Sequence, residues 1–477
     1  ANGVAFGIGV ALLLWSSRNA GFAWLRWASA AVLPAVLLAL YFTFSRGGLL
    51  ALAVASICLV VLSRDRLWLL GTLAIGAVGV LPAVLATQAR DALSDNIPDQ
   101  ATIDQGGEVL LFLLAGVALT LLLFAGLRRL EREGGELTGR VVALSRNPAA
   151  LRGIAIAAIV LAIGAAIAVG GRAADEFTES ETQIADPTEQ ITDFSGAGRS
   201  DFWSVAGESF GERPVLGIGA GVYEFAWEEH RSIERPVRDA HSLYIEAFAE
   251  LGLLGGLLVL ALAGVLLWTG FAAWRAAALD PRRDLYAALL AALLAFAVGA
   301  MFDWFWEIAA LGAVFFLAAG ALVAVRCRQL APLDDGREDR GQARLVVAGL
   351  IVAWLSIVAL VGPLLAEREL DAGRDALAAG DLPSAVNHAD TARSIEPWAA
   401  SPYVQLGLLA EAEEDYASAA ARYTQAIDRE DRNWQLYYLR SRVEGEAGNE
   451  AAAQADIEEA RRLNPLEDCL NGTPSCG

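Results

Sequence analysis

Long apolar runs constrain this chain more than any other feature. Nine nearly uncharged stretches of about 17 to 23 residues recur along it, and a helix of this length can cross a hydrocarbon core about 30 Å thick. A mean hydropathy of +0.44 over 477 residues agrees with a chain that lies largely in lipid. The predicted spans are 27–44, 47–63, 67–87, 109–127, 153–170, 251–273, 285–301, 308–325 and 345–365.

Residues 2–15 have the composition of the end of a tenth span. Because the chain opens at Ala1 without a methionine, we expect further helices before it. The predicted fold class is therefore all-α, a polytopic transmembrane helical bundle with about ten spans present and N-terminal spans missing. Its predicted parts are membrane helices over 1–170, a large extracytoplasmic loop over 171–250, membrane helices over 251–365, and an extracytoplasmic domain and tail over 366–477.

The distribution of arginine predicts the orientation in the membrane. All 36 basic residues are arginine, and most connecting loops that carry several of them share one face if every run crosses once. Short positively charged loops stay in the cytoplasm, so we expect a multi-pass protein of the cytoplasmic (inner) membrane. The acidic loop 171–250 and the C-terminal region then face outward. A net charge of −20, largely in outward segments, argues against a nucleic-acid partner.

A period of 34 residues follows the last predicted span. Such a period resembles the tetratricopeptide repeat, in which small residues let two antiparallel helices pack closely, and it predicts three helix pairs over 366–467. An alanine-rich coiled coil would instead need sustained heptads. Cys469 and Cys476 share the outward tail, where an oxidising compartment would permit them to pair. The alanines spaced by 34 are Ala385, Ala419 and Ala453, and Ala392, Ala426 and Ala460.

The large loop has two halves of different composition. Its start, ADEFTESETQIADPTEQITDF, is polar and acidic and has too little apolar content to bury a core. From GRSDFWSVAGESF onward, the spacing of aromatic residues predicts a short amphipathic helix, then a glycine-rich turn and another helix. The glycines of GIGAG lack the strand and helix of a dinucleotide site. They indicate a turn where the backbone passes close to neighbouring helices.

Three cationic or titratable residues belong to the predicted outer face. Arg46 lies in YFTFSRGGLL between two spans, Arg199 lies in GRSDFW, and His241 is one of only three histidines. Arginine can bind a diphosphate bidentately and stabilise its charge, whereas a neutral histidine can accept a proton near pH 7. Together they favour group transfer from a diphosphate. The alternative for Arg46 is an anchor at the lipid headgroups, and for His241 it is a helix cap or a side chain that snorkels at the start of a span.

These residues resemble the motifs of the O-antigen ligase and O-antigen polymerase superfamily, which moves sugars from an undecaprenyl-diphosphate carrier. Arg46 and Leu50 are similar to its arginine-x-x-x-leucine element, GRSDFW with PVLGIGAGVY to its loop motif, and His241 followed by Gly252 to its histidine element. The resemblance implies that Arg46 and Arg199 hold the diphosphate and that His241 is the general base, without a metal cofactor. Further substrate-binding candidates are Asp303, Trp203, Gly219 and Tyr244.

The chain departs from typical ligases after Gly252, where LLGG replaces a threonine pair. Ligation to a terminal hydroxyl acceptor and polymerisation therefore both remain open, as do a glycan, lipid or protein acceptor. A membrane transporter would place ionisable residues or broken helices near the bilayer midplane, but the predicted spans are nearly free of charge. A scaffold that recruits partners through its repeats would account for 366–467 and leave His241 and the arginines unexplained.

Overall fold

The computed structural model describes residues 2–90, 100–133, 198–330 and 340–471. Within these ranges the regular structure is helical and contains no strand. The helices are α1 (Asn2–Asn19), α2 (Ala23–Tyr41), α3 (Arg46–Leu62), α4 (Arg66–Gln88), α5 (Gln100–Glu133), α6 (Arg199–Glu212), α7 (Tyr223–His230), α8 (Leu243–Ala276), α9 (Arg283–Gly299), α10 (Ala309–Leu330), α11 (Arg340–Ala378), α12 (Leu382–Ile395), α13 (Ser401–Ala412), α14 (Tyr416–Ile427), α15 (Trp434–Glu446) and α16 (Glu450–Leu463).

Six of the described helices are long and apolar enough to cross a membrane, namely α2, α4, α5, α8, α10 and α11. Several such helices indicate a multi-pass membrane protein. The predicted run 47–63 becomes α3, an apolar helix of only 17 residues. The run 285–301 becomes α9, also 17 residues long and not one of the six. The predicted span 153–170, the loop start at 171–197 and Cys476 lie outside the described residues.

The chain divides into two compact units. The first consists of Ala1–Ala220 and Asp239–Ala331, and the second of Gly221–Arg238 and Pro332–Gly477. The boundary therefore falls twice inside the predicted large loop. As a consequence, α7 belongs to the second unit although the helices on either side of it in sequence, α6 and α8, belong to the first.

Helix α9 lies at the centre of the first unit. It packs against α1, α3, α8 and α10. Ala287, Ala291 and Ala295 recur every four residues along it and are fully buried. Alanine at this spacing lets neighbouring helix backbones approach closely, as in membrane bundles generally. Helix α9 is thus short, and it is surrounded by other helices of the first unit.

Glycines bring α1 and α3 into close contact next to Arg46. A Cβ atom added at Gly48 would lie 2.7 Å from the Cα atom of Gly3, and one added at Gly7 would lie 2.7 Å from the backbone nitrogen of Leu52. Both distances are too short for any side chain. Gly48 in the SRGG turn is therefore a packing residue that places the start of α3 against α1.

In the second unit, one turn geometry recurs with the 34-residue period. Gly380, Glu414 and Gly448 all have positive φ angles, of 78°, 60° and 80°. The backbone nitrogen that follows each of them donates to a carbonyl five residues earlier, which closes the preceding helix. Each turn joins the two helices of one pair, as the contacts of α11 with α12, α13 with α14 and α15 with α16 show.

Helix α11 has two parts of different character. From 347 to 365 nearly every residue is exposed, and the exposed residues are apolar, as a lipid-facing helix requires. Its later residues Ala366 and Leu370 are buried against α12. At the other end of the unit Cys469 is disulfide-bonded, whereas Cys58 and Cys327 are free thiols in the first unit.

Candidate active site

Arg46 is the first residue of α3. Ser45 caps this helix, and its hydroxyl accepts a hydrogen bond of 3.1 Å from the backbone nitrogen of Gly48. The carboxylate of Asp303 lies close by, because a Cβ atom added at Gly47 would be 3.7 Å from Asp303 Oδ2. Asp303 itself is buried, at 7% exposure. The structure thus brings the Arg46 turn and the Asp303 turn together.

Arg199 begins α6 and is held on the same turn. Its Nε atom donates a 3.0 Å hydrogen bond to the backbone carbonyl of Phe302, the residue before Asp303. One helical turn later, the ring of Trp203 lies 6.3 Å from the ring of Phe302, centroid to centroid. These two contacts fix the N-terminal end of α6 against the 302–303 segment.

His241 contacts the same end of α6. Its imidazole lies 5.1 Å from the ring of Phe202, and the indole nitrogen of Trp203 donates a 3.1 Å hydrogen bond to the backbone carbonyl of Ala240. Tyr244 donates a 3.0 Å hydrogen bond to the backbone carbonyl of Ala297, near the C-terminal end of α9. The segments that carry Arg46, Arg199, His241 and Asp303 are therefore linked by direct contacts in one unit.

Asp239, which the sequence motifs did not single out, pairs with His241. Its carboxylate accepts hydrogen bonds from the backbone nitrogen of His241, at 2.9 Å, and lies 2.8 Å from the Nδ1 atom. A carboxylate can only accept, so Nδ1 carries the proton and Nε2 is left as the basic nitrogen. Asp239 is 7% exposed, and His241 supplies the donors that a buried carboxylate needs. The Asp-x-His spacing in RDAHS was the available signal.

The backbone of His241 adopts an uncommon conformation. Its φ angle is +52°, in the left-handed region that residues other than glycine rarely enter. The hydrogen bonds that His241 donates to the Asp239 carboxylate hold this turn from one side. On the other side, the Glu246 carboxylate accepts a 2.8 Å hydrogen bond from the backbone nitrogen of Ala240, and Ser242 caps α8. Glu246 is a second positioning residue that the sequence analysis did not single out.

The glycine-rich motif contacts a break in α8. Gly252 has φ 64° and ψ −164°, a conformation essentially restricted to glycine, so α8 is interrupted there. A Cβ atom added at Gly252 would lie 2.5 Å from the backbone carbonyl of Val215, and one added at Gly217 would lie 2.2 Å from that of Glu250. The two backbones touch without space for side chains, and the predicted close passage of GIGAG is confirmed.

Hydrogen bonds satisfy the backbone groups that the helix break leaves unpaired. The nitrogen of Ile218 donates to the carbonyl of Ala249 at 3.1 Å, and that of Gly219 donates to Glu250 at 3.0 Å. We call this contact the glycine junction, formed by 214–219 and 249–254. The structure places Gly219 in this junction, where its backbone supports α8. Its role as a substrate-binding residue stays a prediction.

A family model matches the part of the chain that contains Arg199 and His241. Residues 101–260 match the model of a family described as O-antigen ligase, over about a third of the chain. The match supports the O-antigen ligase superfamily and indicates a membrane enzyme that transfers glycans, with a lipid-linked donor and an acceptor in general terms. It covers Arg199 and His241 but neither Arg46 nor Asp303. No curated protein matches the chain.

Proposed function

We propose that this protein transfers a sugar or oligosaccharide from an undecaprenyl-diphosphate carrier to a hydroxyl acceptor on the outer face of the cytoplasmic membrane. The observation that carries the proposal is the linkage of the Arg46, Arg199 and His241 segments through the 302–303 turn. Two guanidinium groups and a histidine suit a reaction in which a diphosphate leaves and a hydroxyl attacks.

In the proposed reaction the acceptor oxygen forms a bond to the anomeric carbon of the donor sugar. The bond between that carbon and the diphosphate oxygen breaks, and the electron pair stays on the diphosphate. Nε2 of His241 takes the hydroxyl proton, because Nδ1 is committed to Asp239. Asp239 holds the ring orientation and stabilises the imidazolium that forms, as the third group does in nucleophile and base arrangements generally.

Arg46 and Arg199 are the proposed diphosphate ligands. Guanidinium groups bind phosphate oxygens in pairs of parallel hydrogen bonds and stay charged at every physiological pH. The bond from Arg199 Nε to the carbonyl of Phe302 fixes the plane of one guanidinium. We propose that Asp303 orients the arginines, since it lies beside the turn that carries Arg46. Charge that develops on the leaving group then needs no metal ion.

An apolar cavity beside Arg46 suits the carrier's tail. It has a volume of about 490 Å³ and lies among α2, α3 and α4. Its lining includes Tyr41, Phe44 and Ser45, which lead directly to Arg46 in sequence. A carrier with its diphosphate at Arg46 would place its first isoprene units against this surface, which is mainly apolar.

The other parts of the proposal follow from the sequence. The arginine-rich loops favour a cytoplasmic position, so the site and the C-terminal repeats face outward. We propose that the helix pairs of 366–467 are tetratricopeptide repeats, supported by the three turns spaced by 34 residues. Ligation to a terminal acceptor and polymerisation of a growing glycan use the same chemistry, and the product distinguishes them.

The direct test supplies purified full-length protein in lipid nanodiscs with an undecaprenyl-diphosphate-linked oligosaccharide and a hydroxyl acceptor, and identifies products by mass. We expect a glycosylated acceptor and released undecaprenyl diphosphate, with activity retained in EDTA. Arg46→Lys and Arg199→Lys should lose turnover by roughly 10²-fold, because lysine lacks the planar fork. A protein that releases no diphosphate, or that needs added magnesium or manganese, would contradict the proposal.

A further inference from the structure

The 221–238 segment connects the two halves of the candidate site in sequence. It begins two residues after Gly219 of the glycine junction and ends one residue before Asp239. Its contacts, however, are made with the second unit, to which the helix pairs of 366–467 belong. A peptide that joins two parts of a site is therefore held by a region outside that site.

A buried polar contact holds the segment on the last helix pair. Arg231 Nη2 donates a 2.9 Å hydrogen bond to Oδ1 of Asn464, and the carboxylate of Glu467 lies 3.8 Å from the same guanidinium. Arg231 has only 6% of its side chain exposed, and Asn464 is 1% exposed. A buried charged hydrogen bond is costly to break, because it leaves a buried cation without its acceptor.

Packing and a second ion pair extend the contact. Helix α7 packs against α16. Glu229 at the end of α7 pairs with Arg462 on α16, at 2.5 Å. Within the segment, the fully buried Trp227 donates a 2.8 Å hydrogen bond to the carbonyl of Arg235, which folds the segment back on itself. The segment is thus a compact peptide with its own internal bond and with polar attachments at Arg231 and Glu229.

We propose that the last helix pair is a positioning element for the histidine motif: by holding the 221–238 segment through Arg231 and Glu229, it fixes the chain that enters Asp239 and His241. The proposal rests on the function proposed above. Arg231, Asn464, Glu229 and Arg462 are positioning residues, since none of them contacts the reacting groups in this role. The repeats therefore serve catalysis within their own chain, in addition to any partner that they bind.

The test combines hydrogen exchange with kinetics on the full-length protein. Arg231→Ala should raise amide exchange in 221–238 by roughly 10- to 100-fold, the effect of losing a charged hydrogen bond. It should also lower kcat about tenfold while the donor KM changes less than about twofold, because the histidine is displaced and the diphosphate ligands are not.

Swapping the charges of the Glu229–Arg462 ion pair provides a second test if Arg231→Ala folds poorly. Glu229→Arg and Arg462→Glu should each raise exchange in 221–238 and lower kcat, and the double variant should restore both. Arg442→Glu is the matched control, because Arg442 pairs with Glu411 inside the helix pairs. This control should change neither measurement.

The outcomes separate the two proposals. Unchanged exchange in 221–238 in Arg231→Ala and in both charge variants would show that the repeats do not hold the segment. Faster exchange with unchanged kcat would overturn the positioning role and leave glycan transfer intact. A native protein that transfers no glycan would remove the proposed function, and the positioning role with it, while the exchange data still report whether the segment is held.

Discussion

In the unit that carries the candidate site, residues from positions 46 to 303 meet through long-range contacts, whereas in the helix pairs the same turn recurs every 34 residues. The first unit depends on close backbone approaches such as Gly217 against Gly252. The second depends on local turns at Gly380, Glu414 and Gly448. A change in the first unit should therefore affect many contacts at once, while a change in the second should stay local.

The largest effect is expected at His241. His241→Ala should lower turnover by roughly 10²–10⁴, the usual contribution of a general base, and leave donor binding largely intact. His388→Ala is the matched control, because His388 pairs with Glu369 in the helix pairs. Steady-state kinetics of glycan transfer measure both. A well-folded His241→Ala protein with normal turnover would place the base elsewhere.

Two glycine substitutions compare the units directly. Gly252→Ala should destabilise the protein by about 3 kcal/mol or more, because the φ angle alone costs 1–3 kcal/mol and the new Cβ atom would meet the Val215 backbone. Gly380→Ala should cost only about 1 kcal/mol, since its φ is also positive but no atom lies within 4 Å of the added Cβ.

Thermal inactivation in detergent, followed by size-exclusion of the remaining folded protein, measures both glycine variants. Equal losses of folded protein for Gly252→Ala and Gly380→Ala would mean that the close backbone approach at the glycine junction contributes nothing to stability. A larger loss for Gly380→Ala would reverse the comparison between the two units.

Asp239→Asn tests the orientation of the histidine. The amide keeps the size of the carboxylate but can present its NH₂ group to Nδ1, which favours the wrong tautomer of His241. We expect a kcat reduced by roughly 10- to 100-fold with an unchanged donor KM, as for outer groups that orient a histidine. Asp415→Asn is a control, because Asp415 only caps α14. A lower affinity for donor with normal kcat would assign Asp239 to donor binding.

The smallest effect concerns Glu228 in the contact between α7 and the helix pairs. Burial raises the pKa of Glu228 to about 7, with a further rise from Glu224 and Glu467 and an opposing effect of the nearby Trp434 indole and Arg231. A carboxyl with a raised pKa favours the folded contact when it is protonated. Its contribution is complete below about pH 4.5 and is lost as the pH rises through about 7.

Protection of the 221–238 amides, corrected for intrinsic exchange, should therefore fall between pH 5 and pH 8. Glu228→Gln should remove most of this dependence, because the amide stays neutral. A Glu228→Gln protein with the same pH dependence as the unchanged protein would show that another group is responsible.

The sequence predicts the helices of this protein better than the long-range contacts between them. Apolar runs identify the membrane-type helices, and aromatic spacing predicts α6 and α7, because both signals are local. The break at Gly252 was not predictable, since LGLLGG reads as the interior of an apolar helix and only the contact with Gly217 reveals its purpose. Asp239 was missed although its Asp-x-His spacing is visible in RDAHS, because the pairing with Nδ1 forms in a turn where His241 has a positive φ angle.

The membership of the 221–238 segment in the second unit could not be predicted from local patterns either. The aromatic spacing predicts a short helix after the glycine-rich turn, and this expectation concerns only neighbouring residues. That Arg231 would meet Asn464, more than 200 positions later, depends on a fold that no local pattern encodes. The 34-residue period, in contrast, could be read directly, and it reappears in the turn geometry.

We propose that Arg46 and Arg199 hold a diphosphate next to His241. A structure of the protein in nanodiscs with undecaprenyl diphosphate bound would show whether they do. We predict phosphate oxygens within about 3 Å of both guanidinium groups, the tail along the cavity lined by Tyr41 and Phe44, and Nε2 of His241 facing the site of the anomeric carbon. A diphosphate bound away from either arginine, or a His241 ring that faces away from it, would contradict the account.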